Sequence, residues 1–332
     1  MNGKLAFRSV LQGKNQGNPP FLPFIHGLAA RMANVPLRDM VSDASVFANA
    51  LEGAYRLLDY DVIALSYDTT VECEALGSEV GWKNEYTAPV LVKGGDPSLI
   101  RPEEFLRSER IQVLLEVTKR LVMTAGTDAA IACVVSGPCS LTKGLERASG
   151  LAACGSATDA VRALGSHLGK LVRGLCELKV DAVLFREDPL GPELVEELTL
   201  NREAYKGLYA TMFNIVRAFN GFPVLVTSRL DIDGVKTVHG TLRPDAMVLL
   251  GTDVGDHDFS LLMELADASR VSFGVPLPIG TVPFDALMAR LDEIDSFVAA
   301  HRPKRVFYTS DGEIPYDISV EVLRTLVDRL KG

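Results

Sequence analysis

The chain has 332 residues, 47% of them hydrophobic, and a formal net charge of −9. That is enough apolar material for one large core, on a surface too acidic for general nucleic-acid binding. No apolar run is long enough to span a bilayer, residues 1–20 hold no signal-peptide core, and the five cysteines form no CxxC pair, so a cytoplasmic protein without disulfides is expected.

Residues 1–20 read as a lead-in helix and a polar loop closed by Pro19-Pro20. Eight short apolar runs follow: FLPFIH (21–26), DVIALS (61–66), AIACVVS (130–136), DAVLFR (181–186), PVLVTS (223–228), AMVLLG (246–251), RVSFGV (270–275) and RVFYTS (305–310). Helix-like segments separate most of them, and strands alternating with helices predict parallel βαβ units. Eight units predict an α/β fold, a closed (β/α)₈ TIM barrel, as a single domain over 1–332. Ser42 or Asp43 is the expected cap of the helix SVFANALEGAYRLLDY. A long excursion, about 69–108, follows the second run and holds the only tryptophan, Trp82. Helices are predicted over 103–125, 156–178 and 199–219, a turn over 237–245, and a closing helix SVEVLRTLVDRL.

In such a barrel the chemistry lies where the strands end. His26 ends the first run and Asp68 follows the second. Ser136, Pro138 and Cys139 follow the third, and Arg186, Glu187 and Asp188 the fourth. Ser228 and Arg229, Thr252 and Asp253, and Ser310 and Asp311 follow the fifth, sixth and eighth. Arginines can clamp an anion, and neighbouring carboxylates can have their acidity tuned for proton transfer. Plainer readings stand beside these. His26 reads equally as a core histidine. Glu187 and Asp188 read as caps of a helix starting near Pro192. Arg229 reads as a partner of Asp231 or Asp233. Cys139 reads as a small buried residue. No His-x-Cys, Cys-x-x-Cys, dinucleotide glycine motif, P-loop or nucleophile elbow occurs, so no metal ligands are assigned.

Four ordered blocks carry a resemblance: DYDVIALSYDTTVECEALGSEVGWKNEYTAPVLVKG (59–94), SGPCSLTKGLE (136–146), LFREDPLGPELVEELTLNREAYKGLY (184–209) and SDGEIPYDISVEVLRTLV (310–327). Together they resemble the uroporphyrinogen decarboxylase superfamily, which also contains cobalamin-dependent methyltransferases. The resemblance implies that the decarboxylase's catalytic aspartate falls on Asp68, one residue from Tyr67. Only Arg31 matches its arginine-rich segment. Its tyrosine falls on Gly144 and its late histidine on Asp311. The methyltransferase branch's zinc ligands fall on Thr227, Arg229 and Asp311 or Gly312, so that set is absent.

The resemblance therefore implies an enzyme of altered chemistry: cobalamin-linked methyl transfer without the usual zinc. Asp68, Glu187 and Asp311 would handle protons, and His26, Arg31, Arg186, Ser228 and Arg229 would hold a small-molecule substrate. No tightly bound cofactor is expected; a methyl-corrinoid would arrive on a partner protein, and a homodimer is the expected assembly. The alternatives are a cofactor-independent decarboxylase of an acidic, porphyrinogen-like substrate and a non-catalytic member that kept the fold.

Overall fold

Strand residues that alternate between two apolar surroundings set the architecture. The structure, a computed structural model, describes residues 2–149, 157–228, 230–251 and 256–332. Its main sheet has β1 (Phe21–Phe24), β2 (Val62–Leu65), β3 (Ala130–Ser136), β4 (Ala182–Arg186), β5 (Phe222–Ser228), β6 (Ala246–Leu250), β7 (Ser272–Leu277) and β8 (Val306–Glu313). Neighbours in space are neighbours in sequence, and β1 pairs with β8, every ladder being parallel. This is a nearly closed (β/α)₈ barrel, as the alternation predicts.

The seam between β1 and β2 has no ladder. Asp61 closes it: its carboxylate Oδ2 accepts the Phe21 N–H at 2.8 Å, and its own N–H donates to the Phe21 carbonyl at 3.2 Å. Burial raises the pKa of this carboxyl, opposed by the Phe21 N–H.

The pleat divides the apolar residues into two cores. One face of β2, Ile63 and Leu65, packs outward with the helices. The other points into the barrel, where Ala64, Ala132, Ala182 and Ala246 leave room for Phe24 and Phe307. Gly274 is required there, because a Cβ would stand 2.8 Å from the Phe307 ring. Below, the helix Gly3–Leu11 plugs the barrel, with Phe7 edge-on to Phe307 at 5.4 Å. Its Arg8 and Lys4 both reach Asp181.

Local chemistry moves several element ends. Asp43 is the cap of the helix Ala44–Leu58, accepting from Ser45 and Val46 N–H. The predicted turn over 237–245 is corrected: Asp231 accepts from Gly234 N–H and starts a helix, Ile232–Leu242, that buries Val235, Val238 and Leu242. Ser108 and Asn201 leave helical geometry, so the predicted helices become Pro102–Arg107 with Glu109–Thr124, and Glu193–Leu200 with Arg202–Ala218. β8 runs on through its polar end to Glu313, whose partner across the sheet is Phe24. The excursion after β2 carries a small antiparallel hairpin, Glu79–Gly81 with Val90–Lys93. Among the described residues no helix is long and apolar enough to cross a membrane.

Candidate functional site

The inner core ends at the mouth in a stack of three side chains. Phe24 and Tyr67 lie 4.5 Å apart between ring centroids. The guanidinium of Arg186 covers the other side of Tyr67, 3.6 Å from its centroid. Arg186 is on the inward-facing parity of β4, with Ala182 and Leu184 beneath it. Its Nε donates to Asp188 Oδ1 at 2.5 Å and Nη2 to Oδ2 at 3.0 Å, a fork-to-fork pair, while Nη1 donates to the Tyr67 carbonyl. Ser228 holds the loop by donating to the Asp188 carbonyl at 2.6 Å. Burial raises the Tyr67 phenol far above its ordinary range; Arg186 opposes this, and Asp188, Glu313 and Asp311 reinforce it. Those groups therefore share one neighbourhood.

Asp68 sits beside this stack, buried and fully engaged. It accepts the N–H and hydroxyl of Thr70, both at 2.8 Å, and pairs with Arg110. Arg110 reaches in from the helix Glu109–Thr124 and also holds Glu74 at 3.0 Å. The turn that delivers Tyr67 and Asp68 depends on Ser66, whose φ of 61° lies in the left-handed region. His26 starts the helix His26–Met32 rather than ending a strand, and is buried against Phe47. Among the described residues neither of its ring nitrogens has a hydrogen-bond partner, nor does Arg110 Nε; the two side chains line one small pocket with Ser66. Burial lowers His26 to about 4, opposed by Asp68 and aided by Arg110 and Arg186, so the ring is neutral.

Two expected catalytic or capping roles change. Glu187 is fully buried and caps the helix Pro138–Ser149, not one starting near Pro192: Cys139 N–H donates to Oε1 at 2.9 Å and Ser140 N–H to Oε2 at 2.7 Å. Tyr209 also donates to it. Gly137 is required at this cap, since a Cβ would stand 2.2 Å from the carboxylate. Burial raises Glu187 to about 7 despite those donors. Both of its oxygens are taken by donors within the protein. Asp188 is the partner of Arg186, not a cap. Cys139 is buried, with its thiol driven up by burial and by Glu187.

At the end of β8, Asp311 accepts from the Gly251 N–H. Two residues on, Glu313 Oε1 accepts the Gly27 N–H at 2.6 Å, at the start of the His26–Met32 helix. Burial raises Glu313 to about 7; the Gly27 bond and Arg186 hold it down, and Asp68 pushes it up. Sequence reading missed Glu313 because the apolar run stops at Ser310. Its signal was the strand alternation of Phe307, Thr309, Asp311 and Glu313. Arg110 was missed too, because its place at the mouth comes from a helix. Arg31 donates to the Ile318 carbonyl, in the segment after β8, at 2.6 Å. Arg229, Thr252 and Asp253 lie outside the described residues. The structure thus brings together His26, Asp68, Arg186, Ser228 and Asp311, and adds Tyr67, Arg110, Asp188 and Glu313.

A zinc ion does not fit this set. At the zinc-ligand positions that are described stand Thr227, fully buried and without a partner for its hydroxyl among the described residues, and Asp311, bonded to Gly251. Among the described residues no group of three His, Cys, Asp or Glu side chains is placed to hold a metal ion.

Residues 3–149 match the family model of uroporphyrinogen decarboxylase (URO-D). A methyltransferase from Methanosarcina mazei is similar in structure, with a TM-score of 0.77 at 15% identity over 99% of this chain and 98% of that one. A B12-independent methionine synthase from Shewanella sp. W3-18-1 has a TM-score of 0.60 at 13% identity, covering 86% of each chain. A putative vitamin-B12 independent methionine synthase from Listeria monocytogenes has 0.56 at 13% identity, over 96% of this chain and 98% of that one. At these identities the structures speak for the fold. No curated protein matches the sequence.

Proposed function

We propose, from the premise that this chain is a uroporphyrinogen-decarboxylase-like barrel, that it transfers a methyl or other one-carbon group by acid–base chemistry instead of zinc activation. The observation that carries the reading is Glu313: a carboxyl near neutrality, on the mouth side of β8, within the field of Arg186 and Asp68. Such a group can protonate a departing oxygen at neutral pH. A phenolic ether is the substrate class that needs only this help; a methylated folate would need the same proton at its departing nitrogen. Arg186, held flat on Tyr67, would receive one anionic group of the substrate.

A corrinoid carried by a partner protein would supply the methyl-accepting nucleophile. The protein's own residues bind the donor, aim its methyl group outward, and return a proton from Glu313 to the leaving oxygen. Asp68 stays paired with Arg110 and shapes the wall.

The charge balance favours this over decarboxylation of a polycarboxylate. Arg110 is held by Asp68 and Glu74, Arg186 keeps only the N–H groups not used on Asp188 and Tyr67, and Arg31 spends one side of its guanidinium on the Ile318 carbonyl. Among the described mouth residues these arginines could meet one anionic group of a substrate but not the many of a polycarboxylate. The test is an incubation with aryl methyl ethers and reduced cobalamin, read as the methylcobalamin spectrum, beside an incubation with uroporphyrinogen, read as loss of carboxylates. Methyl transfer supports the proposal. Carboxylate loss alone would move the assignment to the decarboxylase, and inactivity in both to a non-catalytic protein.

A further inference from the structure

The tip of the hairpin in the long excursion, residues 82–89, comes down beside Glu313. Trp82 and Tyr86 pack it on the core outside the barrel. Asn84 shapes the turn, its side-chain oxygen accepting the N–H groups of Tyr86 and Thr87 at 2.9 Å each. Glu85 then offers its carbonyl to the Leu37 N–H at 2.6 Å. The next carbonyl, that of Tyr86, lies against Gly27: a Cβ there would stand 2.1 Å from it and 3.1 Å from Glu313 Oε1. The tip and the carboxyl therefore flank one point, at the residue whose N–H Glu313 accepts.

The far fastening is aromatic. The Tyr86 ring stacks on Tyr316, with centroids 5.4 Å apart and planes 24° from parallel. Tyr316 follows Glu313 closely, in a turn that the Ile318 N–H closes on the Pro315 carbonyl at 3.2 Å and that Arg31 grips through the Ile318 carbonyl. That turn is the fixed half of a clasp. Lys83, Asn84 and Glu85 are exposed, so the tip gains little from burial there and its closure draws on the ring pair and the Leu37 bond.

Glu313 itself is partly exposed. Burial raises it, the Gly27 N–H and Arg186 oppose this, and Asp68 reinforces it. Arg186 comes from β4, Asp68 from the turn after β2 and Gly27 from the helix His26–Met32, all set by the barrel. The tip is a neighbour that can withdraw and admit water, and water returns a carboxyl towards its ordinary acidity.

We propose that Tyr86 and Tyr316 are positioning residues: their ring pair clasps the excursion tip over Glu313 and keeps water from the carboxyl. They act on it through the Tyr86 backbone and Gly27. The inference rests on the reading of Glu313 as the proton donor and names what keeps that donor protonated: a closed tip holds the acid form, and an open tip leaves an ordinary carboxylate.

The test is a carboxyl-carbon NMR titration of the full chain labelled at glutamate, with the Glu313 resonance identified by its loss in Glu313→Gln. The parent midpoint is expected at about 7. Tyr316→Ala, a change outside the tip, should let the tip lift. The midpoint should then fall towards the ordinary value, a loss of proton affinity of about tenfold. The Leu37 and Gly27 amides should exchange about tenfold faster. The emission of Trp82, the only tryptophan, should move to longer wavelength. Tyr86→Leu, which keeps an apolar side chain at the tip, should act in the same way, and Tyr316→Phe, which keeps the ring, should behave as the parent. A tyrosine with a merely structural role would lower the melting temperature and leave the midpoint in place. A parent midpoint at the ordinary value, a midpoint unmoved in Tyr316→Ala and Tyr86→Leu, or an equal fall in Tyr316→Phe would overturn the proposal. These measurements use no substrate, so their outcome is separate from that of the methyl-transfer assay.

Discussion

The guanidinium of Arg186 lies 3.6 Å from the centre of the Tyr67 ring and pairs on its edge with Asp188. One residue therefore closes the apolar core of the barrel and opens its polar mouth. Arg186→Lys keeps the charge but loses the fork and the stacking plane. It is expected to cost about 2 kcal/mol in urea unfolding and to weaken binding of an anionic substrate more than it slows turnover. An unchanged KM would remove Arg186 from the substrate contact.

Glu313 gives a kinetic signature. Its carboxyl is protonated below about 7 and ionised above. As the proton donor it makes the rate fall as pH rises through that value. Glu313→Gln keeps an acceptor for the Gly27 N–H but cannot give up a proton. Turnover should drop roughly a hundredfold and the neutral limb of the pH profile should vanish. A limb that survives in the variant belongs to another group.

Glu187 gives a stability signature of defined sign. Its carboxyl sits near 7 in the fold against an ordinary 4.5. The folded state holds its proton more tightly, so the contribution is complete below the ordinary value and is lost as pH rises to about 7. The loss amounts to about 3 kcal/mol. His26 works the other way: lowered from 6.5 to about 4, it favours folding more as pH rises through that interval. Glu187→Gln removes only the first effect. Its unfolding free energy at about pH 8, relative to about pH 5, should exceed the parent's difference. Parallel profiles would place Glu187 in a wetter setting.

Asp68 and Arg110 should behave as a coupled pair. Arg110→Met alone strands a buried carboxylate and is expected to cost roughly 3 kcal/mol. Asp68→Asn together with Arg110→Met should recover part of that loss, with a coupling of about 1–3 kcal/mol in a double-mutant cycle. Additive costs would mean that the two side chains do not interact in solution.

Ser66 holds left-handed backbone with a φ of 61°. Ser66→Gly should relieve the Cβ contact and leave stability the same or about 0.5 kcal/mol higher. A large loss would instead assign the Ser66 hydroxyl a structural role in the cavity beside His26.

The sequence alone determined the barrel, because eight apolar runs at βα spacing bury their backbone in only a few ways. It also determined which strand ends carry polar or charged groups, since Arg186 and Ser228 end their runs and Asp68 and Asp311 lie within two residues of theirs. Partnership was decided by the tertiary structure. Glu187 follows β4 and Glu313 ends β8, with the same side chain at the same end of the barrel. One meets the amides of a helix 47 residues away in sequence and is sealed off; the other meets Gly27 at the mouth. Arg110 comes to Asp68 from a helix 42 residues downstream. Strand period depends on neighbours in the chain and is written there, whereas burial, ion pairing and acidity depend on neighbours in space.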